Sequence, residues 1–512
     1  MRASCVSIKR NILANYASQI YAMIVGVIMA PVYLSFMGRE AFGLIGFFTM
    51  MTAWFQLLDM GLSPTMARET ARFRGGAIGV DVLRSHLRAL EVIFGSTAVA
   101  GSVALVLLSD QIATHWLKVR ELPVEQVSHA VVLMGLAVPL RWISGLYRGV
   151  VNGFEHQVWL SGYNIAIATM RFVGVLAIFV TLGATPVYFF AYQVAVSLVE
   201  LIGLIAATYG LVRRGGGTRK KFSWRPLAGN LAFSLTIAVS ATIWVVVMQT
   251  DKLVLSKILP LAEYGIFSIA IVAAAAINAA NIPFNQALLP RLTKLVAENN
   301  NVGVASVYSA ATQAVCVLMV PAVTMLAYFA GPILRAWTDD PQIANRGAPV
   351  LCLYAIGNGC VSLNSFVYYI QYAKGDLRLH FIGHGLLLAL LVPAYLLLAP
   401  RYGAIGTGAA WASVNGLYAL FWIPVVHARV FRGQHWKWLL HDVLPIAVPP
   451  VLSGALLTAI IPWPTGRLAT CITLAALSAI LLAIAAAGSS VMRKTVVAVC
   501  ASWLSRISGK WA

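Results

Sequence analysis

The sequence predicts an all-α, polytopic integral membrane protein of about fourteen transmembrane helices, arranged as two pseudo-symmetric six-helix lobes followed by two further helices. Three observations carry that expectation. The 512 residues are 60% hydrophobic and only 11% charged, with a mean hydropathy of +0.81, whereas soluble domains are about 25% charged. Uncharged or nearly uncharged runs that reach the roughly 20 residues needed to cross a bilayer as helix recur along the whole chain. Landmarks of the first half also return in the second at a near-constant offset.

The first two spans cover 12–34 and 41–62, and the link 35–40 is too short to do anything but turn back, which predicts an antiparallel hairpin. Arg68, Arg72 and Arg74 follow it and should hold its far end in the cytoplasm. Span three covers 89–109, with Arg84 and Arg88 in the turn before it and a short loop of mixed charge, 110–126, after it. Span four, 127–150, contains Pro139 and Arg141 and ends in YRGVVNGFEHQ, where Asn152 and Gly153 break the helix. Spans five (158–181) and six (188–212) carry Arg171 and Glu200 near their middles, and the glycine-interrupted basic stretch RRGGGTRKKFSWR follows.

After that stretch the chain begins again. Leu34-Ser35 before Phe42-Gly43 matches Leu255-Ser256 before Tyr264-Gly265, Arg68 matches Arg291, and Gly153 matches Gly375. Spans seven to twelve are therefore read at 231–257, 264–288, 307–332, 347–372, 379–399 and 404–427, with two more at 443–461 and 468–489. The expected division is an N-terminal lobe at 1–212, a basic cytoplasmic linker at 213–226, a C-terminal lobe at 227–430, and two additional helices with a basic tail at 431–512. Six spans is an even number, so both lobes start on the same side and are related by an axis along the membrane normal.

A net charge of +20 could point to nucleic acid, but most of the 37 Lys+Arg fall in one alternating set of loops. That is the positive-inside bias of a multi-pass protein with both termini in the cytoplasm, and it makes the lipid bilayer, not nucleic acid, the partner. The six cysteines form no disulfide framework, since Cys316, Cys352, Cys360 and Cys471 lie in spans and Cys5 and Cys500 in basic tails.

An ionisable group at mid-membrane costs roughly 2.5 to 3.5 kcal/mol on insertion scales, so those that remain are candidates for function. Arg141 and Arg171 lead as a cationic substrate site, with Glu200 as their natural acid partner, and two arginines against one glutamate leave net positive charge in the first lobe. A guanidinium fork suits phosphate or pyrophosphate, while a buried structural Arg-Glu pair is the plainer alternative. Asp251-Lys252 is a second site, either for H+ or Na+ coupling or as a local ion pair. Asp59 ranks lower, close to the inner surface and within reach of Arg68. His380 and His384, at i and i+4, have metal-binding spacing but no further ligand nearby, so no metal is assigned.

What is missing narrows the function. RRGGGTRKK lacks the spacing of a GxxxxGK[ST] phosphate loop, so turnover would draw on an ion gradient or the substrate's own gradient, without a cofactor. No outside loop is long enough for a catalytic domain, and Asp339-Asp340 is the only acid pair that a membrane glycosyltransferase or polymerase could use. The residues alone thus read as a two-lobed secondary transporter with a cationic centre and no enzymatic activity. A drug or small-cation exporter, which should have an acid-rich cleft, and a glycosyltransferase or polymerase are the alternatives.

Three stretches, Asn11 to Gly76, Tyr147 to Gln157 and QTDKLVLSKILPLAEYG from Gln249 to Gly265, resemble the Wzx-type O-antigen and polysaccharide flippases of the multidrug/oligosaccharidyl-lipid/polysaccharide exporter superfamily. The resemblance implies flipping of an undecaprenyl-pyrophosphate-linked oligosaccharide across the bacterial inner membrane, with polymerase or assembly proteins as partners. It also implies that Arg141 and Arg171 would meet the pyrophosphate or acidic sugars.

Overall fold

The computed structural model of the protein describes residues 2–213, 231–464 and 466–494. The expected basic linker, apart from Arg213, and Cys500 lie outside the described residues. Among the described residues every element is helical, save one isolated bridge between Lys118 and Pro260, and eleven helices are long and apolar enough to cross a membrane.

Two of the eleven are double. Helix α1, Arg2–Phe55, would be about 80 Å long if straight. It is interrupted at Gly38 (φ 82, ψ 176), a backbone region open essentially to glycine alone. The limbs on either side return to the same level. Tyr33 lies 5.5 Å from Phe189, and Phe48 lies 5.3 Å from the next residue, Phe190, so the chain reverses between Tyr33 and Phe48 as the short link predicts. The turn is pinned by Glu40, whose buried carboxylate accepts the backbone N–H groups of Arg120, Glu121 and Leu122 at 2.7, 2.9 and 2.8 Å.

The other helices of the first half are α2 (Leu62–Arg74), α3 (Val80–Leu107), α4 (Val124–Gly153), α5 (Gln157–Thr181), α6 (Pro186–Arg213) and α7 (Leu231–Ile258). Those of the second half are α8 (Leu261–Ala280), α9 (Ile282–Ala297), α10 (Asn301–Tyr328), α11 (Ala330–Thr338), α12 (Pro341–Lys374), α13 (Arg378–Val430), α14 (His435–Ile460) and α15 (Arg467–Gly488). Helix α13 also reverses, at Gly403 (φ 56, ψ −137), which brings Gly383 against Tyr418 and Trp422. Two crossings each for α1 and α13, together with α7, bring the eleven spans to the fourteen crossings expected.

Two spans that read as continuous are divided. The second limb of α1 stops at Phe55 and passes through one 3-10 turn, Gln56–Asp59. The left-handed residues Met60 (φ 45) and Gly61 (φ 73) then re-aim the chain into α2. The apolar residues Leu57, Leu58, Met60 and Leu62, interrupted in charge only by Asp59, concealed the break, although Pro64 suits the first turn of a new helix and not the interior of an old one. A helix boundary falls at the equivalent place in the repeat, where α8 ends at Ala280, Asn281 keeps helical φ and ψ (−81, −19), and α9 begins with Pro283 near its first position. Helix α3 starts at Val80, so Arg84 and Arg88 lie on its opening turns and not in a loop.

Each half packs by one scheme. Helices α2 and α3 lie on α4, and α4 on α6; α9 and α10 lie on α12, and α12 on α13. Gly149 and Gly153 let α2 come within backbone contact of α4, since a Cβ at either would meet Ser63 or Ala67 carbonyl oxygen. The chain forms two compact units, Met1–Ser268 and Ile269–Ala512, and α7 packs on α1 within the first. The first core centres on Leu87, Phe94, Leu146, Val150 and Leu204, and the second on Tyr308, Phe366, Ile370, Val426 and Ile446. Cys316, Cys352, Cys360 and Cys471 all carry free thiols.

Candidate functional site

The break between α1 and α2 opens a cavity of about 520 Å³ wholly within the first unit. Broken membrane helices commonly line the binding sites of transporters, because irregular backbone is tolerated where it borders a cavity. The break contributes Gln56, Asp59, Gly61 and Ser63, α4 contributes Arg141, Trp142, Gly145 and Arg148, α5 contributes Arg171, and α6 contributes Glu200. Among the charged lining residues, three arginines therefore face two carboxylates.

Helical spacing explains the arginine row. Arg141, Gly145 and Arg148 stand at i, i+4 and i+7, one above another on a single face of α4. Gln193, Ser197 and Glu200 repeat that spacing on α6. Arg171 is placed by a π-turn, Met170–Gly174, in α5, the kind of one-residue insertion that re-aims side chains at functional sites. The turn frees consecutive carbonyls, and neighbouring helices satisfy them. Tyr192 Oη donates to the Met170 carbonyl at 2.8 Å, Gln193 Nε2 to that of Arg171 at 3.3 Å, and Tyr33 Oη to that of Phe172.

Glu200 joins two of the arginines. Arg148 Nη2 donates to Glu200 Oε1 and Arg171 Nη2 to Oε2, so each carboxylate oxygen carries one guanidinium. The Glu200 side chain is 4% exposed, whereas those of Arg148 and Arg171 are 29% and 21% exposed. Arg148 also donates to Asn164 Oδ1. Arg141 is held differently, by neutral groups: Gln193 Oε1, Ser197 Oγ at 3.4 Å, and the face of Phe48 at 4.4 Å. Two buried donors among the lining residues, Arg171 Nε and Trp142 Nε1, have no hydrogen-bond partner. The cavity is rich in donors and short of acceptors, which is the chemistry of an anion site.

The structure thus brings Arg141, Arg171 and Glu200 together, and adds Arg148 and Asp59. Arg148 escaped the sequence reading because it stands five residues before the end of α4 and passes for a cytoplasmic cation; its i+7 relation to Arg141 was the available signal. Asp59 lines the cavity, and its Oδ1 accepts both the Ser63 hydroxyl and the Ser63 backbone N–H, the latter at 3.2 Å.

Asp251 and Lys252 lie farther along α7 than its cavity residues Thr242 and Val245. Their side chains are ion-paired at 3.2 Å, and Lys252 Nζ donates as well to the Met248 carbonyl. The His380 and His384 rings lie 4.0 Å apart and tilted by 52°, with Tyr368 4.6 Å from His380, and His384 Nδ1 lies 3.1 Å from the His380 carbonyl. Asp340 caps α12 by accepting from the backbone N–H of Gln342 and Ile343, and Asp339 ends α11 in a left-handed conformation. A buried network absent from the sequence reading ties Asp442 to Ser309 and Gln313, and Gln313 onward to Ser489 and Ser490.

The family model described as polysaccharide biosynthesis protein matches residues 8–296, and that of the lipid II flippase MurJ matches residues 279–494. No curated protein matches the chain in sequence. Among solved structures, the lipid II flippase MurJ in an inward closed conformation is 13% identical with a TM-score of 0.68, over 95% of this chain and 99% of that one. An inward-facing multidrug resistance transporter of the MATE family, MOP superfamily, is 13% identical with a TM-score of 0.66, over 81% and 94%. An outward-facing structure of that family gives 0.55 at 13% identity, over 82% and 95%. At such identity the likeness carries the fold.

Proposed function

The chain belongs to the polysaccharide biosynthesis protein family, and from that premise we propose that it flips a lipid-linked oligosaccharide, carried on undecaprenyl pyrophosphate, from the cytoplasmic to the outer leaflet of a bacterial inner membrane, as Wzx-type flippases do in O-antigen and polysaccharide biosynthesis. The observation that carries the reading is the arginine row: Arg141, Arg148 and Arg171 converge on one cavity at a helix break, facing only Glu200 and Asp59 in charge. A pyrophosphate offers two linked anionic centres to such forks, and guanidinium geometry matches phosphate bidentately. Passage of an amphipathic lipid head group through the apolar interior needs that charge neutralised. Both termini are cytoplasmic on this reading, the driving force is an H+ or Na+ gradient or the substrate's own, and polymerase or assembly proteins receive the product.

A small-cation exporter would need the opposite polarity in the same place. A glycosyltransferase would need a free acid pair, and the Asp340 carboxylate of the Asp339-Asp340 pair is engaged in capping a helix.

Reconstituted into vesicles with a short-chain prenyl-diphosphate-linked sugar, Arg141→Ala, Arg148→Ala and Arg171→Ala should each lower flipping about 10- to 100-fold, since a charged hydrogen bond contributes about 1.5 to 3 kcal/mol. Arg→Lys should retain part of the rate, because charge survives without the fork. If the arginines serve only to pair with Glu200, removing the whole cluster, Arg148→Gln and Arg171→Gln together with Glu200→Gln, would restore flipping because no uncompensated charge is left. Restoration by that triple variant, or near-normal flipping in all three alanine variants, would overturn the reading.

A further inference from the structure

The three arginines are of two kinds, and Glu200 makes the difference. Arg141 is held by an amide oxygen, a hydroxyl and an aromatic face, none of which carries charge. Arg148 and Arg171 are bridged by one carboxylate, with a separate oxygen for each. That is the arrangement two guanidinium groups adopt around a phosphate.

We infer that Glu200 is a resident anion, occupying Arg148 and Arg171 between turnovers and giving them up to the diphosphate of the substrate, so that it limits affinity and drives release. The inference rests on the reading of the cavity as an anion site, and assigns within it a role that the fold alone does not.

The remaining charges support the assignment. Asp59 is the other carboxylate lining the cavity, and it accepts both donors of Ser63. The phenol of Tyr163 donates to the backbone carbonyls of Val199 and Glu200, not to the carboxylate. Among the described residues the Glu200 side chain is therefore held by Arg148 and Arg171. An anion can take Arg141 without displacing a carboxylate, and the donors Arg171 Nε and Trp142 Nε1 have no hydrogen-bond partner to give up. For the two guanidinium groups on Glu200 it has to compete. Once the diphosphate departs, the carboxylate returns to its place between Arg148 and Arg171, and those two cations do not have to be left without an anionic partner in the membrane interior.

The experiment is a titration of the purified full chain, in phosphatidylcholine nanodiscs, with geranyl diphosphate, followed by calorimetry. Glu200→Gln should bind about 10-fold tighter or more than wild type and flip more slowly, because the competitor is gone and release is retarded. Glu200→Asp keeps the charge but withdraws it by one methylene, so it should fall between the two. It also serves where the neutral variant does not fold. Arg141→Ala should weaken binding by the same factor in the wild-type and Glu200→Gln backgrounds, whereas Arg148→Ala and Arg171→Ala should cost more in the Glu200→Gln background. If binding is unchanged or weaker in both Glu200 variants while the arginine variants lose it, Glu200 merely positions the arginines and this inference fails alone. If neither the wild type nor any variant binds geranyl diphosphate, the anion-site reading fails and takes the inference with it.

Discussion

A membrane-embedded charge is legible in a sequence when it interrupts an apolar run, and hard to see when it stands near the end of one. Arg141, Arg171 and Glu200 are of the first sort and were identified from position alone. Arg148 is of the second sort, and Asp59 was read as peripheral because the helix break that turns it into the cavity wall could not be seen. Asp59 also shows why a carboxylate in a cavity need not bind anything: it accepts the backbone N–H of Ser63, one of the donors left over at the start of α2. From two residues before the N-cap, Gly61, it does what a cap side chain would do. Asp59→Asn, which preserves an acceptor oxygen, should therefore leave flipping within about twofold of wild type. Asp59→Ala should lower stability by about 1 kcal/mol, the typical cost of losing a cap, as read by thermal unfolding in detergent. A loss of gradient coupling in Asp59→Asn with unaltered stability would instead make Asp59 an ion site.

At the scale of elements, length and apolarity gave the helices, while backbone punctuation decided where they turn. The link 35–40 was visible as a turn because only six residues separate two spans. The break at Met60-Gly61 was hard to see because Leu57, Leu58, Met60 and Leu62 keep its surroundings apolar and hydropathy does not report φ and ψ, whereas the boundary at Asn281 was marked by Pro283, which a reading by span length passes over. The π-turn of α5 was equally silent, since its signature is a set of carbonyls accepting from Tyr33, Tyr192 and Gln193 of other helices. The hairpin turn offers a test with an internal control. Gly38 has φ 82 and ψ 176 with no atom within 4 Å of a built Cβ, so Gly38→Ala meets backbone strain and no clash. Its expected cost is about 1 to 3 kcal/mol. Gly385, also in open space but within a helix, should gain slightly on Gly385→Ala, because alanine is the better helix former. Equal effects of the two substitutions on unfolding would show that the Gly38 conformation is not required for the reversal.

For the whole molecule the repeat is the organising fact. It was read from four landmarks, and the structure adds the matching packing of α2, α3 and α6 on α4 and of α9, α10 and α13 on α12, together with a helix boundary at the equivalent place. The cationic cavity is not part of that symmetry: its arginines belong to the first half, and none of the repeat landmarks coincides with Arg141, Arg148 or Arg171. A repeat of six crossings fixes sidedness, and that can be measured. Helices α4, α5 and α6 make three crossings between Val124 and Arg213, which puts these two ends on opposite faces, and Gly215 follows Arg213 by two residues in the sequence. Helix α10 crosses once between Asn300 and Asp340, which must be opposed in the same way. By the positive-inside rule, the excess of Lys and Arg after the even-numbered crossings predicts the cytoplasmic face for Gly215 and Asn300. Reporter fusions at those two positions should then signal cytoplasm, and fusions after Val124 and Asp340 the outside. Because the same parity is tested once in each half, an outside signal at Gly215 alone would remove a crossing from the first half. Each repeat would then hold an odd number of crossings, and the second copy would start on the opposite face from the first.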